Sequence, residues 1–464
     1  MLQLNAVKKN KIWVVLSLIN ALQTHGLAQI NKDKKSCWAF KSHYNKTEIF
    51  MHCVWVLSEQ YYPEQTSTGR LITQTAEGLA EQFCTRAISG PPTDRLVRTK
   101  APSYEIRHGV EIYRCQGTVL DKNRLLGRAI NIITQSLSIF FRALRMVKAG
   151  DAVLVVTNPP LLPFIALAVC YIKRANLVLL IHDVYPEALV ASGIVSAKSK
   201  FIGMLDWLHR YLYRSADCIV TLGRDMSDLV NRRLKMSTTP QGMIDKKIHC
   251  IPHWAEIEDV FPSDRNNNPL LQKLGIGQQF VVLYAGNLGR THAIESLTEA
   301  ATQLRHESIH ILVLGPGVKR KWLETRIREQ QLSNITMLPM LPADQINDAL
   351  NACDVGLILF VPGMAGISVP SRMYNQMATA KPIIGMCDTA SELAQVLTEE
   401  QAGWVIAPGD TDALVKCIRY AAKHPETCRI MGQQASNAVQ QKYTFKQANK
   451  AYQTLFAELF NAPS

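Results

Sequence analysis

The chain alternates short apolar runs with longer amphipathic stretches from residue 52 onward. Short apolar runs bounded by turn residues are typical of buried strands, and the stretches between them have helical spacing. The apolar run at residues 161–172 has the length of a crossover helix, which predicts that the strands on either side of it pair in parallel. The strands predicted in the first half lie at residues 53–57, 152–156, 177–181, 218–221 and 248–251.

The same pattern starts again after residues 256–277, a polar stretch rich in turn-forming residues. The predicted strands of this second half lie at residues 280–285, 309–314, 335–338, 355–359 and 382–385. The fold class that follows is α/β, with two doubly wound Rossmann-like domains facing each other across a cleft. Ligands of such sheets bind outside the carboxyl ends of the strands.

The predicted domain organisation has five parts. They are an N-terminal extension at residues 1–50 to which the pattern assigns no structure, a first domain at 51–260, a linker at 261–277, a second domain at 278–444, and a C-terminal helix at 445–464 that we expect to return to the first domain.

Composition narrows the class of protein. The chain has 464 residues, of which 47% are hydrophobic and 19% charged, so it is long enough for two globular domains with separate cores. Its 11 cysteines are scattered singly, without a Cys-x-x-Cys pair or clustered histidines. This spacing indicates neither a zinc site nor a disulfide framework, and it favours a reduced, cytosolic chain.

The positive charge is confined to the first half of the chain. Residues 1–250 carry 33 Lys and Arg against 18 Asp and Glu, a net charge of +15, whereas residues 251–464 carry 18 against 20, a net charge of −2. Such asymmetry predicts that the first half meets an anionic partner, either nucleic acid or a lipid surface.

Two predicted helices in the positive half favour the lipid surface. In residues 125–148 one arc includes Arg128, Arg142 and Arg145 and has no acidic residue, while the opposite arc is apolar; residues 199–214 repeat the combination of basic and aromatic residues. Such helices either lie in a lipid headgroup layer or simply cover the sheet. Because the charge follows apolar helices rather than stacking aromatics, we expect an anionic membrane surface as the partner and no nucleic acid.

No apolar run has the length of a membrane span. The runs at residues 12–19 and 161–172 are both shorter than the roughly 20 residues that a span needs. The predicted location is therefore cytoplasmic and peripheral, on the inner face of the cytoplasmic membrane.

The segment GISVPSRMYNQMATAKPIIG, residues 366–385, predicts a phosphate site. Ser371 stands in the N-cap position of a short helix, and Arg372 follows in its first turn. A helix N-terminus presents free N–H groups and a partial positive charge, so an arginine beside it suits a diphosphate. The alternative is an ordinary capped helix of an α/β domain.

Motifs along residues 51–464 together resemble those of the retaining GT-B glycosyltransferases of family 4, in the branch that builds bacterial surface polysaccharides, including O-antigen and colanic acid. The motifs are VLSEQYYPEQTSTGR, VVTNPPLLP, IHDVYPEALVASG, CIPHWAEIEDVFP, VVLYAGNLGRTHAIESL and SVPSRMYNQMATAKPII, in that order. Residues 1–50 lie outside the resemblance.

The resemblance implies transfer of a hexosyl or N-acetylhexosaminyl group from a nucleotide-sugar to a polyprenyl-diphosphate-linked or other glycan acceptor, with retention and without a cofactor or essential metal. Fixed cations and N–H donors would stabilise the diphosphate that leaves. The residues expected to act in catalysis are His182, Asp183, Arg290 and Arg372. Those expected to bind the donor are Gly69, Gly286, Asn287, Gly289, Arg290, Gly315, Gly317, Ser371, Arg372 and Asn375.

The chain departs from the family at two carboxylates. Many relatives have a pair of glutamates, the first near the donor sugar and the second on the ribose, and these positions correspond to Ile367 and Asn375 here. An amide at 375 should bind a ribose hydroxyl more weakly than a carboxylate does. Two alternatives therefore stay open, a nucleotide-sugar 2-epimerase on the same fold and a degenerate, non-catalytic partner of a polysaccharide assembly.

Overall fold

The computed structural model describes residues 52–64, 66–92, 101–118, 120, 125–235, 247–339 and 341–461. The predicted N-terminal extension, residues 1–50, lies outside the described residues.

The first sheet has eight strands in the order β3-β4-β2-β1-β5-β6-β7-β8. All neighbours pair in parallel except β3 and β4, which are antiparallel. Its strands are β1 Cys53–Ser58, β2 Cys84–Ser89, β3 Tyr104–Arg107, β4 Val110–Arg114, β5 Ala152–Val156, β6 Asn176–Leu180, β7 Cys218–Thr221 and β8 Ile248–Cys250. Its helices are α1 Ser67–Ala80, α2 Leu125–Met146, α3 Leu162–Lys173, α4 Glu187–Ala191, α5 Lys200–Ser215 and α6 Arg224–Lys235.

The second sheet has six strands, all parallel, in the order β11-β10-β9-β12-β13-β14. They are β9 Phe280–Ala285, β10 Ile309–Leu314, β11 Ile335–Leu338, β12 Val355–Leu359, β13 Ile383–Met386 and β14 Gly403–Ile406. The helices of this half are α7 Pro269–Leu274, α8 Glu295–Gln303, α9 Arg320–Glu329, α10 Ile346–Asn351, α11 Arg372–Ala378, α12 Glu392–Glu399, α13 Thr411–Lys423 and α14 Pro425–Lys442; the last helix of the chain is α15 Phe445–Asn461.

The predicted fold class is confirmed, because two Rossmann-like sheets form where the apolar runs predict them. The central strands β5 and β12 are buried along their whole length. Parallel strands covered by helices on both faces have this continuous apolar character, which is why the sequence identifies them. The strands that the pattern did not predict are β2, β3, β4 and β14. Of these, β3 alternates exposed with half-buried residues at the edge of the first sheet, and β14, at the edge of the second sheet, has three half-buried residues out of four.

Two segments join the halves. Helix α15 packs on the first domain, where Phe456 is fully buried in the first core and the Gln453 side chain donates to the carbonyl of Gly78 at 2.9 Å. Residues 261–277, predicted as a linker, contain α7, whose Leu271 is buried in a core of the second half.

Helix α2 turns part of its polar arc inward. Asn131 and Gln135 are buried, and the Asn131 amide bonds the backbone N–H and carbonyl of Leu120. The apolar Ile133 is 49% exposed. The polar arc therefore does not face solvent at these two positions, and at Asn131 the reason is that the irregular segment beside the helix needs hydrogen-bond partners for its backbone.

Two further features concern cysteines and membrane spans. Cys53 and Cys84 form a disulfide between the adjacent strands β1 and β2, which the scattered spacing of the cysteines did not predict. Over the part of the chain that the structure describes, none of the helices has the length and apolar character to cross a membrane.

Candidate active site

Arg372, the first residue of α11, has two guanidinium nitrogens without a hydrogen-bond partner among the described residues. Its Nη1 donates to the hydroxyl of Tyr284 at 3.1 Å, and its Cζ lies 4.8 Å from the centroid of the Tyr284 ring. Within the described residues, Nε and Nη2 are buried and have no hydrogen-bond partner. Buried N–H donors of a cation are costly to leave unpaired, so this guanidinium is suited to an anion that the protein itself does not supply.

Two glycines allow the loops after β9 and β10 to close on Arg372. Gly286 has φ +151°, and a Cβ built on it would lie 2.2 Å from Arg372 Nη1. Gly315 has φ +130°, and its Cβ would lie 2.2 Å from the carbonyl oxygen of Gly286. Any larger residue at either position would displace a neighbour, so the pair of loops and the guanidinium form one compact surface. Gly317 packs the same way against the backbone of Leu288.

Tyr284, in β9, connects this loop to the arginine. Its hydroxyl donates to the carbonyl of Asn287 at 2.8 Å while it accepts from Arg372. Sequence analysis missed Tyr284; its only signal is a large aromatic residue two positions before Gly286 in a buried strand. Asn287 and Arg290 are exposed on the loop, Gly289 is buried, and Arg290 has no ion-pair partner in the described ranges.

His182 follows β6 and is held from three sides. Its backbone N–H donates to Thr157 Oγ1 at 3.0 Å, its Nδ1 lies 3.4 Å from Thr68 Oγ1, and its ring meets that of His253 edge to face with 5.4 Å between centroids. Burial lowers the pKa of His182 to about 4, so the imidazole is neutral at physiological pH. His253 is a second site residue that was not predicted, because nothing in the sequence around it indicates a contact with His182.

Asp183 and the N-terminus of α1 contact the segment that leads to Arg372. Asp183 forms an isolated antiparallel bridge with Ser368, and burial raises the pKa of its carboxyl group. The hydroxyl of Ser67 bonds that of Ser371 at 2.8 Å. Ser371 occupies the N-cap position without a side-chain capping bond, since its hydroxyl is directed to Ser67 instead.

Gly69 lies in the first turn of α1. Its N–H donates to Thr66 Oγ1 at 3.2 Å, and a Cβ there would lie 2.9 Å from the Cβ of Glu64. The structure therefore gives Gly69 a close approach to the loop before α1.

Asn375 is bonded to the segment between the domains. Its Oδ1 accepts the backbone N–H of Glu256 at 2.9 Å, and the Glu256 carboxylate forms an ion pair with Arg70 of α1. Ile367, the other position where many relatives have a glutamate, is buried in a core of the second half. The structure thus brings Gly286, Gly315, Ser371 and Arg372 together, whereas the Asn375 amide is already engaged by Glu256.

We found no metal centre in the part of the chain described: no group of three or more His, Cys, Asp and Glu side chains there is close enough to hold an ion.

Comparison with family models matches both halves of the chain. Residues 68–240 match a model described as a glycosyl transferase 4-like domain, and residues 267–438 match one described as glycosyl transferases group 1.

Curated relatives and solved structures agree with these matches. The chain is 30% identical to a probable glycosyltransferase, WbjE of Pseudomonas aeruginosa, over 70% of this chain and 78% of the relative. It is 24% identical to the putative colanic acid biosynthesis glycosyl transferase WcaI of Escherichia coli, over 83% of this chain and 96% of the relative. Among solved structures, Anabaena HepE in complex with UDP and glucose has a TM-score of 0.66 at 15% identity, covering 88% of this chain and 100% of that one. The lipopolysaccharide glycosyltransferase WaaG has a TM-score of 0.60 at 14% identity, covering 88% of this chain and 100% of that one.

Proposed function

This chain belongs to the glycosyltransferases, and we propose that it transfers a sugar, with retention as in family 4, from a nucleotide-diphosphate sugar to a polyprenyl-diphosphate-linked or similar glycan acceptor in the synthesis of a cell-surface polysaccharide. The name of WbjE supports glycosyl transfer, and that of WcaI supports a role in polysaccharide synthesis. HepE, which was solved with UDP and glucose, supports a nucleotide-sugar as the donor. The relatives do not favour the 2-epimerase alternative.

The proposal depends mainly on one observation: the Nε and Nη2 atoms of Arg372 are buried beside the Gly286 loop and have no hydrogen-bond partner among the described residues. When a glycosidic bond to a diphosphate breaks, negative charge accumulates on the departing diphosphate. A cation that is already fixed by Tyr284 needs no reorganisation to stabilise that charge, which is the property that makes such groups effective in catalysis. Arg290, exposed at the tip of the same loop, supplies a second cation in this proposal.

His182 has a different role in the proposal, because its imidazole is neutral. A neutral ring offers one N–H donor and one acceptor, which suits the hydroxyl groups of an uncharged sugar. Its position after β6, at the carboxyl end of a parallel strand, is where ligands of doubly wound sheets bind. Asp183 in turn contacts Ser368 of the second half, so we assign it to holding the two halves together around the donor.

We further propose that the first domain docks on an anionic membrane surface. Helix α3 contacts both α2 and α5, so exposed apolar side chains of the three helices lie on one side of the first sheet. We define the lipid-facing surface as Ile133 and Phe141 of α2, Tyr171 of α3, and Trp207 and Tyr211 of α5, all of them exposed. Exposed basic residues occur on the same helices or directly after them: Arg145, Lys148, Arg174 and Arg214. Apolar residues that enter the headgroup layer, with cations beside them, are characteristic of peripheral membrane binding.

The donor site is tested by calorimetric titration of the folded protein with uridine, guanosine and adenosine diphosphates, and with the matching monophosphates and nucleosides. We expect one diphosphate to bind more tightly than its monophosphate, and this difference to disappear in R372A. The matched control is R429A, which removes an exposed arginine of α14 that pairs with Glu426. If none of the nucleotides binds, the proposal of an active transferase fails and the non-catalytic alternative is favoured.

A further inference from the structure

We propose that Asp225, the second residue of α6, is a positioning residue that holds the two domains closed and thereby fixes the segment carrying Arg372. Asp225 is 7% exposed, and its carboxylate lies between the N-termini of two helices, one from each domain. The expected effect of Asp225 on catalysis rests on the proposed function, whereas its effect on the contact between the two domains does not.

The hydrogen bonds of Asp225 link both domains. Oδ1 accepts the N–H of Met226 in its own helix at 2.7 Å. Oδ2 accepts the N–H of Gly366 at 2.7 Å and the N–H of Glu392, at the start of α12, at 2.9 Å. A single buried carboxylate therefore satisfies two backbone donors of the second domain, and hydrogen bonds to a charged acceptor are the stronger kind.

Gly366 begins the segment that leads to the donor site. Five residues separate it from Arg372, and the first domain contacts this segment at three further points. The Val184 N–H donates to the Ile367 carbonyl at 2.9 Å, Asp183 bridges Ser368, and Ser67 bonds Ser371. Because the segment is bonded to the first domain along its length, opening of the cleft must break these bonds or move Arg372.

The neighbours of Asp225 strengthen the same contact. Arg224 donates to Glu392 from its backbone N–H at 2.7 Å, and its Nη1 donates to Glu399 at 2.7 Å. Gly366 has φ +76°, and a Cβ there would lie 2.8 Å from the Asp225 carbonyl oxygen. The close approach of the two domains at Asp225 therefore depends on both side-chain and backbone geometry.

The chain supplies a matched control in Asp388. Its carboxylate accepts the N–H groups of Gly363, Met364 and Ala365, at 3.2, 2.8 and 3.1 Å, in the residues just before Gly366. As at Asp225, a carboxylate accepts backbone N–H groups, but here the acceptor and the donors all belong to the second domain. A change at Asp388 should loosen the segment without releasing the first domain.

The test is small-angle X-ray scattering of the full chain without nucleotide, on wild type, D225N and D388N, with thermal unfolding measured in parallel. An amide at 225 offers one acceptor oxygen and places an NH₂ group against backbone donors, so we expect a larger radius of gyration for D225N and an unchanged one for D388N. We also expect kcat/KM of D225N to fall roughly ten- to a hundredfold, the loss of one or two charge-assisted hydrogen bonds. If D225N does not fold, D225S, which lacks the NH₂ group, gives the same comparison.

Scattering of D225N or D225S that superimposes on that of the wild type overturns the proposal, as does an equal expansion of D388N. The scattering result needs no nucleotide or acceptor. A protein that opens on substitution yet binds no diphosphate would support the role of Asp225 while contradicting the proposed donor site.

Discussion

Arg372 lies against Tyr284 so that one of its nitrogens bonds the phenol oxygen at 3.1 Å, while the guanidinium carbon stands 4.8 Å from the ring centroid. The phenol in turn donates to the carbonyl of Asn287. The tyrosine therefore fixes both the cation and the loop that approaches it, while two other guanidinium nitrogens are buried without a hydrogen-bond partner among the described residues.

Substitution of Arg372 should weaken diphosphate binding much more than it changes stability. R372A removes the unpartnered donors, and we expect the affinity for the preferred nucleoside diphosphate to fall roughly ten- to a hundredfold, in line with hydrogen bonds to charged groups. Y284F should have a smaller effect of the same sign, because the cation keeps its ring contact but loses the hydroxyl. Isothermal titration measures both, and equal affinities of R372A and wild type would contradict the assignment.

G286A should impair the same step through sterics alone. The new methyl group would stand 2.2 Å from Arg372 Nη1, at a φ of +151° that alanine rarely adopts. We expect a loss of diphosphate affinity comparable to that of R372A. The control is G277A, where nothing lies within 4 Å of the added Cβ and no positive φ occurs. Titration of the two variants side by side tests this. Equal losses of diphosphate affinity in G286A and G277A would show that the effect does not come from the contact between position 286 and Arg372.

The buried histidines should make the protein acid-sensitive. Burial lowers the pKa of His182 to about 4 and that of His253 well below its ordinary value, so these two imidazoles bind fewer protons in the folded chain than in the unfolded one once the pH falls below about 6.5. Their contribution to the free energy of unfolding should then fall as the pH is lowered from about 6.5 towards 4, by at most about 1.4 kcal/mol per pH unit for each histidine. Urea unfolding at several pH values tests this. The free energy of unfolding should depend less steeply on pH in H182Q than in the wild type, and an unchanged pH dependence would contradict the neutral, buried imidazole.

Asn375 should tolerate a glutamate only if Glu256 is neutralised. The Asn375 amide bonds the backbone of Glu256, whose carboxylate is largely buried, and burial raises the pKa of that carboxylate. N375E would set two carboxylates beside each other, so we expect a lower melting temperature, and we expect E256Q to restore part of it in the double variant. Thermal unfolding of the two single variants and the double variant measures the coupling, and additive changes would show that the two side chains do not interact.

The lipid-facing surface predicts which substitutions release the protein from membranes. Trp207 is 64% exposed, and W207S with Y211S removes two aromatic anchors without touching the first core. We expect the double variant to lose flotation with anionic vesicles, whereas I430S, at an exposed apolar residue of α14, should float like the wild type. Absence of flotation by the wild type itself would remove the membrane part of the proposal.

The sequence predicts the fold because burial on both faces gives parallel strands their unbroken apolar runs, as in β5 and β12. The sequence also predicts that Arg372 lies at the start of a helix, since the turn, the N-cap residue and the arginine follow one another in the chain. Contacts between distant residues leave no such local signal. Tyr284 and Arg372 are separated by 88 residues, and Glu256 and Asn375 by 119.

The polar arc of α2 shows a different limit of sequence analysis. Periodicity divides a helix into two faces but does not say which face meets solvent when the neighbouring segment is irregular. Asn131 is buried because the backbone of Leu120 needs its amide, and no property of the helix alone contains that information.

The most direct test of the proposed transfer is an assay with radiolabelled nucleotide-sugars and a bacterial lipid extract that contains polyprenyl-diphosphate-linked saccharides. We expect one donor to label the lipid fraction with release of an equal amount of nucleoside diphosphate. We also expect R372A to lower the rate about a hundredfold, as loss of a preorganised charge-stabilising donor does, while R429A matches the wild type. Folded R372A that transfers sugar at the wild-type rate, or folded wild-type protein that labels no lipid with any donor, would contradict this proposal.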